Sequence, residues 1–235
     1  MDYKIIHNLL TQEEVNDIYL VINSVNVEWQ QGYETVRNLD NIPTTAESVK
    51  GFKNCISLLP YTEIADIIFQ AIDKSHDWIN FTLPTDSETP FVSRTPTGGY
   101  YRPHHDASKN GHFSTTIFLN NPDDYEGGEL QLDLNGEIKN VKLSAGSSIT
   151  YRTGIPHCVN EVTKGNRDVA VFWTKTEFPD QHEWMIMGGI RKAMSLLECK
   201  NHANLEEARE DPYFVLATLM HNIERKTLSK TNDNS

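Results

Sequence analysis

This chain of 235 residues predicts a mainly β core with flanking helices (α+β). The core reads as a double-sheet jelly roll, with the helices packed on the outer face of its larger sheet. Three observations predict it. Helical periodicity dominates up to about residue 77. From 78 to 178, short runs of β-branched and aromatic residues alternate with turn signals every 8–12 residues or so, the pattern of a sandwich or barrel. Helical periodicity then returns. The length suits one well-buried domain. The expected organisation is therefore a single domain 1–235: a helical and loop segment 1–77, a β core 78–178, and C-terminal helices 179–235 whose polar tail from Lys226 frays.

After one early strand, Thr11 and Glu14 form a capping-box pattern ahead of Val15, Ile18, Tyr19 and Ile22. Ile64, Ile67, Ile68, Ala71 and Ile72 fall on one face of a second helix. Between them lies a polar stretch bearing Trp29, Tyr33, Arg37 and Phe52, read as a long loop of the kind that often carries function. The predicted strands are Phe91–Thr95, Tyr100–His104, Ser114–Asn120, Glu129–Leu134, Val141–Leu143, Ser148–Arg152, His157–Val162 and Asp168–Thr176. Asn135-Gly136, between Leu130/Leu132/Leu134 and Ile138, is the strongest hairpin signal in the chain. Gly127-Gly128 reads as a strand corner, and Cys158 as a core residue. A helix is expected from Gln181 to Leu197. Asp211 can cap another that starts at Pro212 and buries Leu216, Leu219, Met220 and Ile223.

Composition excludes some functions. A formal charge of −12 argues against a protein that coats nucleic acid by neutralising phosphates. No run approaches the roughly 18 apolar residues of a membrane span. Cys55, Cys158 and Cys199 are too scattered for a disulfide framework or zinc pattern, which predicts a reducing compartment. Without a basic, apolar leader at its start, the chain reads as cytoplasmic.

The chemistry concentrates at Tyr101-Arg102-Pro103-His104-His105-Asp106. On an extended backbone His104 and Asp106 share a face and His105 points away. An imidazole beside a carboxylate makes two-thirds of a facial triad for ferrous iron, though a lone His-x-Asp is weak. His157, late in the β region, can supply the third ligand. Arg167 heads the following strand, and two adjacent antiparallel strands would let His157 hold metal while Arg167 reaches deeper. A dicarboxylate that chelates iron at one end leaves its far carboxylate buried. A guanidinium fork can meet that charge with two hydrogen bonds. Zinc hydrolases have no role for such an arginine, and halogenases replace the carboxylate that Asp106 supplies.

These residues resemble the 2-oxoglutarate/Fe(II) dioxygenase superfamily, in particular its prolyl 4-hydroxylase-like branch and the PKHD-type hydroxylases. The resemblance runs through Tyr101-x-Pro103-His104-x-Asp106, Thr115-Thr116-Ile117-Phe118-Leu119-Asn120 and Pro122-Asp123-Asp124-Tyr125-Glu126-Gly127-Gly128-Glu129-Leu130. It continues through Leu143-x-Ala145-Gly146, His157 and Gly165-x-Arg167, so that it covers roughly 91 to 176. It implies a double-stranded β-helix, iron held by His104, Asp106 and His157, and 2-oxoglutarate anchored by Arg167. Tyr101 would line the cosubstrate pocket, and Thr116 and Phe118 would point into the barrel. The implied reaction releases succinate and carbon dioxide and hydroxylates a C–H bond, with ascorbate as a candidate auxiliary reductant. The segment from Asp106 to Phe113 is shorter than in the PKHD group, which implies a remodelled substrate entrance.

The expected partners are 2-oxoglutarate, O2 and a substrate that is a peptidyl residue, an amino acid or a small metabolite. Two other functions compete. An oxidative demethylase of nucleic-acid bases uses the same iron core but wants a basic groove, whereas Arg167 is followed by Asp168-Val169-Ala170-Val171-Phe172-Trp173. A non-catalytic jelly-roll binding module would keep the metal residues without consuming 2-oxoglutarate. Substrate identity and oligomeric state stay open at this point.

Overall fold

The computed structural model describes residues 2–24, 27–35, 51–106 and 111–232. Arg37, most of the long loop, and the short segment after Asp106 lie outside the described residues. In chain order come β1 (Tyr3–Ile6), α1 (Gln12–Ile22), β2 (Trp29–Gln31), β3 (Lys53–Asn54), β4 (Ile56–Leu58), α2 (Thr62–Lys74) and α3 (His76–Thr82). Then follow β5 (Pro84–Ser87), β6 (Phe91–Pro96), β7 (Tyr100–His104), β8 (Phe113–Phe118), β9 (Tyr125–Gly127) and β10 (Leu130–Leu134). The β region ends with β11 (Glu137–Val141), β12 (Ser148–Arg152), β13 (His157–Val159) and β14 (Val162–Thr176). The chain divides into two units, Met1–Thr176 and Glu177–Ser235.

The first unit is a sandwich of two antiparallel sheets. The larger runs β1-β12-β8-β14-β6-β4-β2, with β5 and β9 also paired to β14; the smaller runs β11-β10-β13-β7-β3. Side-chain alternation explains the layering. Phe118, Ile149, Tyr151 and Val169 on the inner face of the larger sheet meet Leu130, Leu132 and Val141 of the smaller one. Ile117, Ala170, Phe172, Val92 and Leu58 point outward, onto Val15, Ile18 and Ile22 of α1 and Ile64, Ile68, Ala71 and Ile72 of α2. All six residues of β8 are buried, because helices cover the face that water would otherwise wet. Each such aliphatic side chain contributes about 1.5–3 kcal/mol of transfer free energy. The fold is thus the jelly roll with helices on the outer face of the larger sheet.

Local chemistry sets the element ends. The Thr11 hydroxyl accepts the Glu14 N–H at 3.2 Å while the Glu14 carboxylate accepts the Thr11 N–H at 2.7 Å, a complete capping box. Asn135 and Gly136, at φ of 57° and 95°, make the two-residue turn between β10 and β11. That turn pairs Leu134 with Glu137, so the return strand is Glu137–Val141, earlier than the predicted Val141–Leu143. β14 begins at Val162, well before the predicted Asp168. Gly165 at φ +77° does not turn the chain there; the strand runs on through it, with β9 paired along its first part. Cys158 is half-buried, its thiol donating to the Gln131 amide oxygen at 3.4 Å, so it is not a core residue.

The second unit holds α4 (Gln181–Met194), α5 (Leu205–Ala208) and α6 (Pro212–Asn232). Asp180 caps α4 through the N–H groups of His182 and Glu183. Asp211 accepts the Tyr213 N–H at 2.8 Å at the start of α6, as the Asp-Pro step predicts. Leu216, Met220 and Ile223 are half-buried along α6, but Leu219 is exposed. Among the described residues no helix is long and apolar enough to cross a membrane.

Candidate metal centre

β7 and β13 lie side by side in the smaller sheet, and their pairing sets His104 directly across from His157. The two rings are 4.2 Å apart, centre to centre. Asp106, two residues past His104, returns its carboxylate to the same side. The ligand atoms of His104, Asp106 and His157 lie within 4.8 Å of one another. His104 Nε2 is 3.9 Å from Asp106 Oδ1, and His157 Nε2 is 3.6 Å from Asp106 Oδ2.

Each imidazole is oriented by its other nitrogen. His104 Nδ1–H donates to the Arg102 carbonyl at 2.8 Å, and His157 Nδ1–H donates to the Ile155 carbonyl at 2.9 Å. This assignment leaves both Nε2 lone pairs facing the carboxylate, the tautomer a metal ligand needs. Burial, and then the neighbouring His157, push the His104 pKa down to about 3, against the pull of Asp106 in the other direction. The ring is therefore neutral near pH 7 and ready to coordinate without releasing a proton. Ser114, on β8 of the opposite sheet, donates its hydroxyl to Asp106 Oδ2 at 2.5 Å.

Arg167 is 3% exposed and projects from β14, in the larger sheet. Its strand is not a neighbour of β13, as the sequence reading expected. His157 and Arg167 come from different sheets, and both are buried. The guanidinium lies over the Phe118 ring at 5.4 Å, and Tyr125 and Tyr151 are its foremost electrostatic neighbours. Its Nε is buried without a hydrogen-bond partner, as is the Tyr125 hydroxyl. A buried cation with an unused N–H fits an anion in that space, since leaving both unmet is costly. Gly128 makes the room. It sits at φ +68°, and a Cβ there would lie 3.3 Å from Arg167 Cδ.

Thr116 points inward from β8 and meets the Tyr151 hydroxyl. Tyr151 packs edge-on to His157 at 5.1 Å and feels both Asp106 and Arg167, so it stands between the two halves of the site. Tyr101 stacks on His104 at 3.7 Å. Burial raises the pKa of both phenols, so both remain protonated donors. Arg102 is exposed over Tyr100, and His112 accepts the Thr176 N–H, so neither enters the site. Sequence reasoning gave no site role to Ser114, Tyr125, Tyr151 or Lys53. Strand parity could have found Ser114, two residues before Thr116; nothing in the sequence marks Lys53.

Known proteins share this sequence and fold. Residues 90–175 match the profile of the 2OG-Fe(II) oxygenase superfamily. A PKHD-type hydroxylase of Gluconacetobacter diazotrophicus is 30% identical over 192 residues, spanning 77% of this chain and 82% of that protein. One from Prochlorococcus marinus is 28% identical over 194 residues, spanning 81% and 85%. A Pseudomonas putida prolyl-4-hydroxylase shares the fold with a TM-score of 0.54 at 18% identity, covering 74% of this chain and 92% of its own. A Trichoplax adhaerens prolyl hydroxylase, solved with a hypoxia inducible factor peptide, gives 0.56 at 15% identity, covering 76% and 85%.

Proposed function

The chain belongs to the PKHD-type hydroxylases of the 2OG-Fe(II) oxygenase superfamily, and from that premise we propose that His104, Asp106 and His157 hold its iron and that Arg167 anchors its 2-oxoglutarate. The protein is an iron- and 2-oxoglutarate-dependent dioxygenase that hydroxylates a substrate. The observation that carries the residue assignment is the buried Arg167 Nε without a partner, set in the same interior as three converging ligand atoms. Bound there, iron and the oxoacid supply O2 activation: one oxygen atom leaves in succinate as carbon dioxide is lost, and the other enters a C–H bond of the substrate.

The protein's own groups do the rest. Two imidazoles and one carboxylate would hold the metal and leave positions open for oxoacid and oxygen. Arg167 neutralises the far carboxylate with a planar fork, and Phe118 and Gly128 fix where that fork lies. Tyr101 and Thr116 would line the oxoacid pocket, and Tyr101 also holds the His104 ring in place. Ser114 restrains one Asp106 oxygen. The sheets exclude water from this interior, which strengthens each of these interactions. The substrate is a peptidyl residue, an amino acid or a small metabolite, and ascorbate serves to return oxidised iron to the ferrous state. Three free cysteines, Cys55 buried, Cys158 half-buried and Cys199 exposed, fit a reducing cytoplasm.

The deciding experiment is an anaerobic titration of metal-free protein with ferrous iron and then 2-oxoglutarate, following the visible metal-to-ligand charge-transfer band. The band is expected only after both additions. It should be lost in His157→Ala and should need at least about tenfold more oxoacid in Arg167→Ala. A band of undiminished strength in His157→Ala, or unchanged oxoacid demand in Arg167→Ala, would remove these residues from the assignment.

A further inference from the structure

The interior of the sandwich holds a second buried cation besides Arg167. Lys53 on β3 pairs with Tyr101 on β7 and is 6% exposed. Its ammonium lies 4.8 Å from the centre of the Tyr101 ring and 5.8 Å from that of Phe91. Tyr101 is the ring stacked on His104, so a single aromatic layer separates Lys53 from the metal residues. Burial pushes the Lys53 pKa down, and Cys55 and then Asp106 pull it back up, whereas the foremost charged neighbours of Arg167 are Tyr125 and Tyr151.

The two cations serve different ends of the interior. Along β14, Arg167 is paired with Thr95 of β6, and Val171 with Phe91. Phe91 and the Arg167 rung are therefore about 13 Å apart along the strand. At the Phe91 end lies a second donor. Trp173 is 5.9 Å from Phe91, ring to ring, and its indole N–H is buried with no hydrogen-bond partner. An ammonium 5.8 Å from the Phe91 ring centre and a buried, unmet N–H on the indole beside that ring are the donors an oxyanion there would use. The far carboxylate of 2-oxoglutarate belongs to Arg167 on the reading given above, so this end is left to the other substrate.

Resting on that assignment of iron and oxoacid, we propose that Lys53 and Trp173 form a carboxylate subsite around Phe91, which selects an anionic substrate and presents its C–H bond to the metal. The carboxylate could be a chain terminus or free acid, or an acidic side chain.

The test uses the full chain loaded anaerobically with ferrous iron and saturating 2-oxoglutarate. Acetate, N-acetylglycine and N-acetylaspartic acid α-amide are titrated by calorimetry, each against its neutral amide. At least one carboxylate should bind about tenfold or more tighter than its amide. N-acetylglycine leading indicates a terminal carboxylate; the aspartyl compound leading indicates a side chain. Lys53→Met should bring carboxylate and amide within about twofold of each other, Lys53→Arg should keep part of the preference, and Trp173→Phe should weaken the carboxylate alone. No preference in the wild type, or a full preference surviving in Lys53→Met, overturns the subsite. The charge-transfer band is recorded in every sample. A missing band in the wild type counts against the iron assignment, and the titration, repeated with 2-oxoglutarate but no metal, still reads the subsite.

Discussion

Ser114 holds one oxygen of Asp106 from across the sandwich, and so decides which lone pairs that carboxylate can offer. Groups that orient a metal ligand commonly set affinity as strongly as a ligand's own chemistry does. Ser114→Ala is therefore expected to weaken ferrous iron binding by about tenfold or more, measured by competition with a chromogenic chelator. Unchanged affinity would show that backbone and imidazole packing alone position Asp106. The same scale shows what a sequence can disclose. His104, Asp106, His157 and Arg167 stand out because their residue types are chemically loaded and their strands are marked by pattern; the first three place ligand atoms within 4.8 Å of one another, and Arg167 is buried. Ser114, Tyr151 and Trp173 are ordinary strand residues, and only the pairing of β8, β12 and β14 turns them toward the site. Lys53 sits on a two-residue strand with no periodicity at all.

The elements were legible where a local rule decides them. The Thr11–Glu14 box starts α1, the Asn135-Gly136 turn joins β10 to β11, and Asp211-Pro212 starts α6. Because α1 packs on the outer face of the larger sheet, its cap bears on stability and not on the site. Thr11→Ala should lower unfolding free energy by about 1 kcal/mol, seen as a lower urea midpoint at unchanged slope, with succinate formation kept. A midpoint that does not move would mean the helix end is held by packing alone. β2, β3, β4 and β9 were not legible, since two or three residues show no alternation and such strands exist only because a longer neighbour pairs with them. β14 was half legible. Its first part, ahead of the predicted Asp168, exists because β9 and β6 pair with it and keep the chain extended through Gly165.

At the scale of the whole molecule, the buried imidazole links folding to pH. His104 accepts a proton near 6.5 when exposed and only near 3 when folded, chiefly because burial disfavours the charged ring. Between those values the unfolded chain binds more protons than the folded one, so stability falls as pH falls through that window. The contribution is at most about 1.4 kcal/mol per pH unit. Metal-free protein unfolded in urea should lose stability from pH 7 to pH 5, and His104→Gln should show a shallower loss. Equal slopes would assign the acid sensitivity to other groups. The separation of the two sheets has a further consequence. His104, Asp106 and His157 are carried by the smaller sheet or the residues just after its β7, and Arg167 by the larger. On the proposed assignment 2-oxoglutarate is then a removable rivet between two plates. Turnover takes the carboxyl group from its metal end, so the succinate left behind would still reach both plates but with one grip on the metal where the oxoacid has two, and the product would be held less firmly than the cosubstrate it came from.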